Sequence, residues 1–422
     1  MSINMKLNRR KAVSLLVGFA LLAAGCDKVT VEPQPGGENG KGNGEEEQLE
    51  ENPKIKAALE SLAGDGSVSS ANLNAVAVWQ DGYGPSGVWL KGTDRKTGHQ
   101  MWSVTKTFTS VAVGIAVEEG SFSLSDKVAP LFPDEVENAK KSIQASTELT
   151  DEEKAAQTAN IDALTVRHLL TMTDGHRTDP TQKYASEYFL KSPLTAIGYL
   201  SNDGVDVTGL LKKFDTTLPT LFFDHPFRAE PGEHFCYDSF ATCILSDIFQ
   251  KKTGRKVADF LYDRIFKPLG LERPVWDEID GVTAGGWGLH LTTDGMLAFG
   301  ELLLSGGRYG DKQLIPKGYL EEALSVQTEY VNHKGKDYET SGYGYQVWTC
   351  GYGRMCMAMG LFGQYIILLP DRKAVVAVTS AMPFDADHLL SDLPKVVELF
   401  SGGDDGSEKS LELVWKYVVP AL

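Results

Sequence analysis

Only 5 of the 422 residues are cysteine and 8 are histidine, and no two of either stand at the spacing of metal ligands. With no His-Glu-x-x-His and no close cysteine pair, the sequence excludes zinc ribbons and the common metallohydrolase helices, and it lacks the Gly-x-Ser-x-Gly elbow as well. No metal or cofactor is expected. Basic residues are in deficit, 41 against 57 acidic, for a formal net charge of −16. That balance argues against a nucleic-acid partner, while the acidic surplus reads as solvated surface and does not define a substrate. No internal repeat is present. Gly82-Tyr83-Gly84-Pro85-Ser86-Gly87 fits a phosphate-loop spelling, but no helical pattern follows it, and it reads as a hairpin loop. Long apolar runs are missing too: the stretch from Ala12 to Ala24 falls short of the roughly 20 residues a membrane span needs.

That short run still carries information. Lys6, Arg9, Arg10 and Lys11 precede it, and Ala23-Ala24-Gly25-Cys26 ends it. Basic, apolar and small residues in this order are the plan of an export signal over residues 1–25, and the cysteine after small residues resembles a bacterial lipobox. Cys26 is then the expected lipidation site, and the protein an exported lipoprotein at the periplasmic or outer face of a membrane. Its only contact with the membrane would be this lipid anchor. Residues 26–53 are rich in Gly, Glu, Pro and Asn, with Lys28 and Lys41 among eight acidic residues, and read as a disordered acidic tether. Removing residues 1–25 deletes four basic and no acidic residues, so the formal charge moves from −16 to −20.

What the chain does have is Ser103-Val104-Thr105-Lys106, followed by the apolar run Val111-Ala112-Val113-Gly114-Ile115-Ala116-Val117. At helical spacing, residues three apart share a face, so an amine and a hydroxyl meet at the start of a helix. A serine is a poor nucleophile alone; a neutral amine beside it can take its proton. Unpaired N–H groups at the helix start suit the negative charge that develops on an attacked carbonyl.

Around this site the chain resembles the serine hydrolases of the β-lactamase superfamily: class C β-lactamases, penicillin-binding DD-peptidases, related esterases and 6-aminohexanoate-dimer hydrolases. The likeness runs in order through five blocks, from about Lys54 to the C-terminus. They are Ser103-Val104-Thr105-Lys106; Leu164 to Gly175; Pro231-Gly232-Glu233-His234-Phe235-Cys236-Tyr237-Asp238-Ser239; Gly285 to Asp294; and Gly342 to Gln346 with Gly360-Leu361-Phe362-Gly363-Gln364. The resemblance implies a catalytic set of Ser103, Lys106 and Tyr237, the phenol passing a proton to the leaving group. It implies backbone N–H groups of Ser103 and Leu361 as the oxyanion hole. Ser239 stands where many relatives carry asparagine. Lys96-Thr97-Gly98 and Lys252-Thr253-Gly254 spell the family's third motif at the wrong places in the order, and the matching position is Ala358-Met359-Gly360. These three residues and Ser239 are the expected substrate pocket, without the cation that grips a β-lactam carboxylate.

The fold expected is α+β: an antiparallel sheet flanked by helices, plus a mostly helical second lobe. Apolar runs at Ala75–Trp79, Val88–Lys91, Tyr345–Cys350, Met355–Met359, Gln364–Leu369 and Ala374–Thr379 predict strands. Lys54–Leu62 and Leu411–Val419 predict helices over one face, with the Ser103 helix on the other. Residues 54–422 form one hydrolase domain, its α/β lobe at about 54–127 and 278–422 and its helical lobe at about 128–277. Charged stretches Asp134–Asn160 and Lys183–Thr220 read as long loops that select substrate. Spacing leaves open both a bridge between Cys350 and Cys356 and four thiols at Cys236, Cys243, Cys350 and Cys356.

The expected activity is a serine hydrolase acting through an acyl-enzyme on a small-molecule ester or amide. Its rivals are an acyltransferase that uses an alcohol acceptor, a true β-lactamase or DD-peptidase, and a noncatalytic binding or sensor protein on the same fold.

Overall fold

The computed structural model describes residues 49–181, 183–184, 200–201, 204–205, 207–330, 336, 338–382 and 406–422. Cys26 and the expected tether up to residue 48 lie outside the described residues, as does most of 183–206; of the tether's last residues, Glu51 bridges Gly84 and Asn52 caps the first helix. Among the described residues no helix is long and apolar enough to cross a membrane.

Helix α1 (Pro53–Ala63) starts with proline in its first turn and Asn52 as its cap, and buries Ile55, Leu59 and Leu62. Strands β1 (Leu73–Gln80), β2 (Ser86–Trp89) and β3 (Gly98–Gln100) follow, then α2 (Thr105–Glu118), α3 (Pro133–Ala145), α4 (Asp151–Ala163) and α5 (Ser239–Thr253). The second half brings β4 (His290–Thr292), α6 (Thr293–Leu304), β5 (Thr328–Glu329), β6 (Thr340–Tyr343), β7 (Trp348–Cys350), β8 (Cys356–Gly360), β9 (Gln364–Leu369), β10 (Ala374–Ser380) and α7 (Ser407–Leu413).

Eight strands form one antiparallel sheet in the order β5-β6-β7-β8-β9-β10-β1-β2. Alternation along the strands assigns each residue a side. Val76, Val78, Tyr365, Ile367, Val376 and Val378 face α1 and Leu411, Val414 and Val418 of the C-terminal helices. Ala77, Ile366, Leu368, Val375 and Ala377 face the core that holds α2 and α6. Phe108 of α2 stacks on Phe299 of α6 with ring centres 3.7 Å apart. The helices after α2 pack around Phe132, Phe222, Phe223 and Phe249 in the same continuous core.

The stretch Asp134–Asn160 is not a loop. Pro133 opens α3, which carries Asp134 and Glu135 in its first turn and buries Val136 and Ala139. Thr150 and Glu153 form a reciprocal capping box for α4, which buries Gln157 and Ile161. Narrow apolar stripes on highly charged helices disguise both segments. The four described cysteines are buried free thiols. Burial pushes Cys243 and Cys356 up to about 12, and Cys236 and Cys350 higher still, so all four stay protonated and unreactive.

His99, on β3 opposite Leu291 of β4, leads directly into the Ser103 turn. It is buried, its Nδ1 3.5 Å from Asn74 Nδ2. Burial, helped by nearby His290, lowers its pKa to about 4. Between that value and the unfolded one, near 6.5, only the unfolded chain takes the proton, so stability falls as pH falls through this window. Chemical denaturation at about pH 7 and about pH 4.5 is expected to show His99→Gln losing about 2–3 kcal/mol less than the wild type over that interval. Equal losses would remove His99 from the acid response.

Candidate active site

Ser103 lies one turn ahead of the helix it was expected to start. Trp102–Val104 form a short 3-10 turn and α2 begins at Thr105. Trp102 holds a φ of +49°, a conformation that costs a bulky residue of order 1–3 kcal/mol and is retained where surroundings enforce it. Those surroundings are tight. A Cβ on Gly360 would sit 2.4 Å from Met101 O, so only glycine lets the end of β8 lie against this turn. Phe362, in the turn after β8, meets Trp102 edge to face at 5.3 Å.

Lys106, on the first turn of α2, is 1% exposed. Its Nζ lies 2.9 Å from Ser103 Oγ, 3.0 Å from Ser239 Oγ and 2.8 Å from Gly286 O. The amine donates to the Gly286 carbonyl, to Ser239 Oγ and to Ser103 Oγ. Gly286 reaches it because the loop lies flat on the start of α5: a Cβ there would be 2.7 Å from Ser239 O. Hydroxyls pin the same segments together, Thr109 donating to Gly285 O at 2.8 Å and Thr107 to Gln346 O at 2.8 Å. Thr242 donates to Gln346 Oε1 at 2.7 Å.

Tyr237 presents its ring to the same amine, Nζ 5.0 Å from the ring centre. Trp348 of β7 stacks on it at 5.4 Å, and Phe235 and Tyr330 close on Trp348 at 5.8 and 5.5 Å. An aromatic wall thus begins at Tyr237 and runs outward to the exposed Tyr330.

The structure brings Ser103, Lys106, Tyr237 and Ser239 together, and lays Gly360 beside the Ser103 turn. Leu361 is half-buried in the turn between β8 and β9. Ala358 is buried in the core on the α2 side. Met359 is a correction to the expected pocket: it packs with the cluster on the opposite face, under the terminal helices, because successive strand residues point to opposite sides. The two Lys-Thr-Gly sequences are structural, the first in the turn entering β3 and the second at the end of α5, where Gly254 takes a φ of +70°. Arg354, in the turn before β8, is exposed and paired with Asp371 at 3.2 Å.

Sequence reasoning missed Gly286 O, a backbone atom that no side-chain motif marks. It also missed a buried charged cluster that includes Asp238, the residue between Tyr237 and Ser239. Asp238 caps α5 by accepting from Phe240 N–H at 2.8 Å. His176 Nδ1 lies 3.5 Å from Asp174 Oδ1 and 3.5 Å from Asp238 Oδ2, with all three side chains fully buried. Burial opposes charge on His176, but Asp174 and Asp238 outweigh it and raise its pKa to about 9. Burial also raises Asp238 to about 6, against the pull of His176, and with Asp238 nearby it raises Asp179 to about 7. The short spacing Asp174-x-His176 was the one available signal.

Residues 74–394 match the Beta-lactamase family. No curated protein matches the sequence. Among solved structures the chain is similar to the penicillin binding protein from Bacillus halodurans, at 18% identity over 80% of this chain and 98% of that one, with a TM-score of 0.52. It is similar to the D-stereospecific amidohydrolase from Streptomyces sp., at 19% identity over 84% and 100%, TM-score 0.51. It is also similar to EstCE1, described as a hydrolase with promiscuous acyltransferase activity, at 14% identity over 82% and 99%, TM-score 0.56. At these identities the likeness is one of fold.

Proposed function

The chain belongs to the Beta-lactamase family, and from that premise we propose that it is a serine hydrolase that forms a covalent acyl-enzyme on a small ester or amide. One observation carries this reading: the buried Lys106 amine 2.9 Å from Ser103 Oγ, oriented by Ser239 and Gly286 O. Ser103 Oγ attacks the carbonyl carbon while Lys106 takes its proton. The N–H groups of Ser103 and Leu361 receive the oxyanion. Tyr237 passes a proton to the leaving group, the C–O or C–N bond breaks, and water releases the acid by the same steps in reverse order.

Ester chemistry is favoured over β-lactam chemistry by Ala358, which leaves no cation on β8, and by Arg354, which is engaged with Asp371. The aromatic wall beside Tyr237 suits an apolar leaving group. The same wall favours an alcohol over water as acyl acceptor, which gives acyl transfer as the second reading. Product analysis with and without an added alcohol separates the two.

Hydrolysis of p-nitrophenyl butyrate is expected to exceed that of nitrocefin by at least about 10²-fold in kcat/KM, because losing a charge-assisted hydrogen bond costs roughly 1.5–3 kcal/mol before misorientation is counted. Comparable turnover of the two substrates contradicts the ester assignment. Lys106→Ala and Tyr237→Phe are each expected to lower kcat/KM for the ester by about 10²-fold or more. Groups that act as one unit are not additive, so the double variant should be little worse than the poorer single one. A folded Lys106→Ala enzyme with near-wild-type turnover excludes Lys106 as the base.

A further inference from the structure

We propose that Asp174, His176 and Asp238 form a binding site for one divalent cation of the zinc type, which fastens the turn at 171–176 to the start of α5. The site is separate from the nucleophile and its base, and its effect on them is positional, through Tyr237 and Ser239 on either side of Asp238.

Three observations carry it. The first is geometric: one ligating atom from each residue lies within 4.8 Å of the others, with all three residues buried. His176 Nδ1 is 3.5 Å from an oxygen of each aspartate. Charge-assisted N–H···O bonds run about 2.7–2.9 Å, so this spacing is long for a proton held between the groups. Two ligands bound about 2.1 Å from a tetrahedral ion lie about 3.4 Å apart, which is the spacing found.

The second is the state of the polar atoms. Both nitrogens of His176, Asp174 Oδ2 and Asp238 Oδ2 have no hydrogen-bond partner although they are buried. The remaining oxygen of each carboxylate is already fixed, Asp174 Oδ1 by His176 N–H at 2.9 Å and Asp238 Oδ1 by Phe240 N–H at 2.8 Å. Asp238 is thus oriented by Oδ1 and leaves Oδ2 unused at 3.5 Å from His176 Nδ1; on Asp174 the oxygen at that distance is Oδ1, which has a second lone pair beside its bond to His176 N–H, and Oδ2 is unused. The imidazole is held by ring contacts with Phe227 at 4.3 Å and with Phe222 and His225 at 4.9 Å.

The third is charge. Buried charges are found paired or bound to metal, and here two buried carboxylates share a single imidazole. A dication, two carboxylates and a neutral imidazole sum to zero. One nitrogen and two oxygen donors suit zinc, and no thiolate is needed. Binding displaces any proton on His176, since a metal ligand must offer its lone pair.

The test uses the full chain, treated with a chelator, desalted, and then given zinc chloride. Inductively coupled plasma mass spectrometry after a second desalting is expected to find about one zinc per chain, and thermal unfolding is expected to rise by roughly 5 °C at saturating zinc. Ser103→Ala should retain both effects, while His176→Gln and Asp174→Asn should lose them. Should those variants fail to fold, X-ray absorption of the wild-type zinc protein decides: nitrogen and oxygen neighbours with an imidazole pattern support the site, and sulfur neighbours overturn it. Retention below about 0.2 zinc per chain with an unchanged melting temperature also overturns it, and leaves His176 as an imidazolium held by the two aspartates.

Discussion

A buried amine has to find partners for every N–H it brings inside, and Lys106 imposes that demand on the neighbouring turn and on two distant parts of the chain. Ser103 comes from the turn before α2, Ser239 from the start of α5 and Gly286 from the loop before β4. Each unmade bond to a buried polar group costs about 1–3 kcal/mol, so the three segments are held to one arrangement. Much of the surrounding architecture follows from that arrangement. Gly286 and Gly360 are where backbone approaches backbone too closely for any side chain, the first against Ser239 and the second against Met101. The threonines of α2 extend the same logic outward, since Thr105, Thr107 and Thr109 each bond a segment that borders the amine.

The left-handed backbone at Trp102 and at Phe362 belongs to the same constraint. The two residues adjoin Ser103 and Leu361, the pair proposed for the oxyanion hole, and their rings pack edge to face, so two strained turns brace one another. Asp238, between Tyr237 and Ser239 in sequence, joins the buried Asp174 and His176. The candidate site is thus connected through the chain to a braced pair of turns at Ser103 and to a charged cluster at Asp238.

The α+β fold was legible because the sheet is regular. Strict alternation in β9 and β10 separates two hydrophobic clusters, and the Gly and Pro-Asp turns between strands are local signals. Ser103 and Lys106 were legible as a pair because their spacing of three residues is short enough for a 3-10 turn running into α2 to bring them to one side. Tyr237 and Ser239 needed an ordered resemblance, since nothing local ties them to Lys106. Other features were hidden for identifiable reasons. The charged helices α3 and α4 bury so few residues that composition masks them, although Pro133 and the Thr150–Glu153 box mark their starts. Met359 was misplaced by reading a motif as a contiguous patch when its strand alternates. Asp174 and His176 stand two residues apart, but Asp238 joins them only through the fold, so the sequence alone does not show the three-residue set.

The central claim is that Ser103 becomes the acyl carrier because Lys106 is beside it. The most direct measurement is peptide-level mass spectrometry after brief exposure to an activated ester, with the rate of adduct formation followed in parallel. A single acyl adduct on the peptide that contains Ser103, absent in Ser103→Ala and formed at least about 10²-fold more slowly in Lys106→Ala, is the expected result. An adduct on another residue, or acylation of Ser103 at the wild-type rate in Lys106→Ala, contradicts the account.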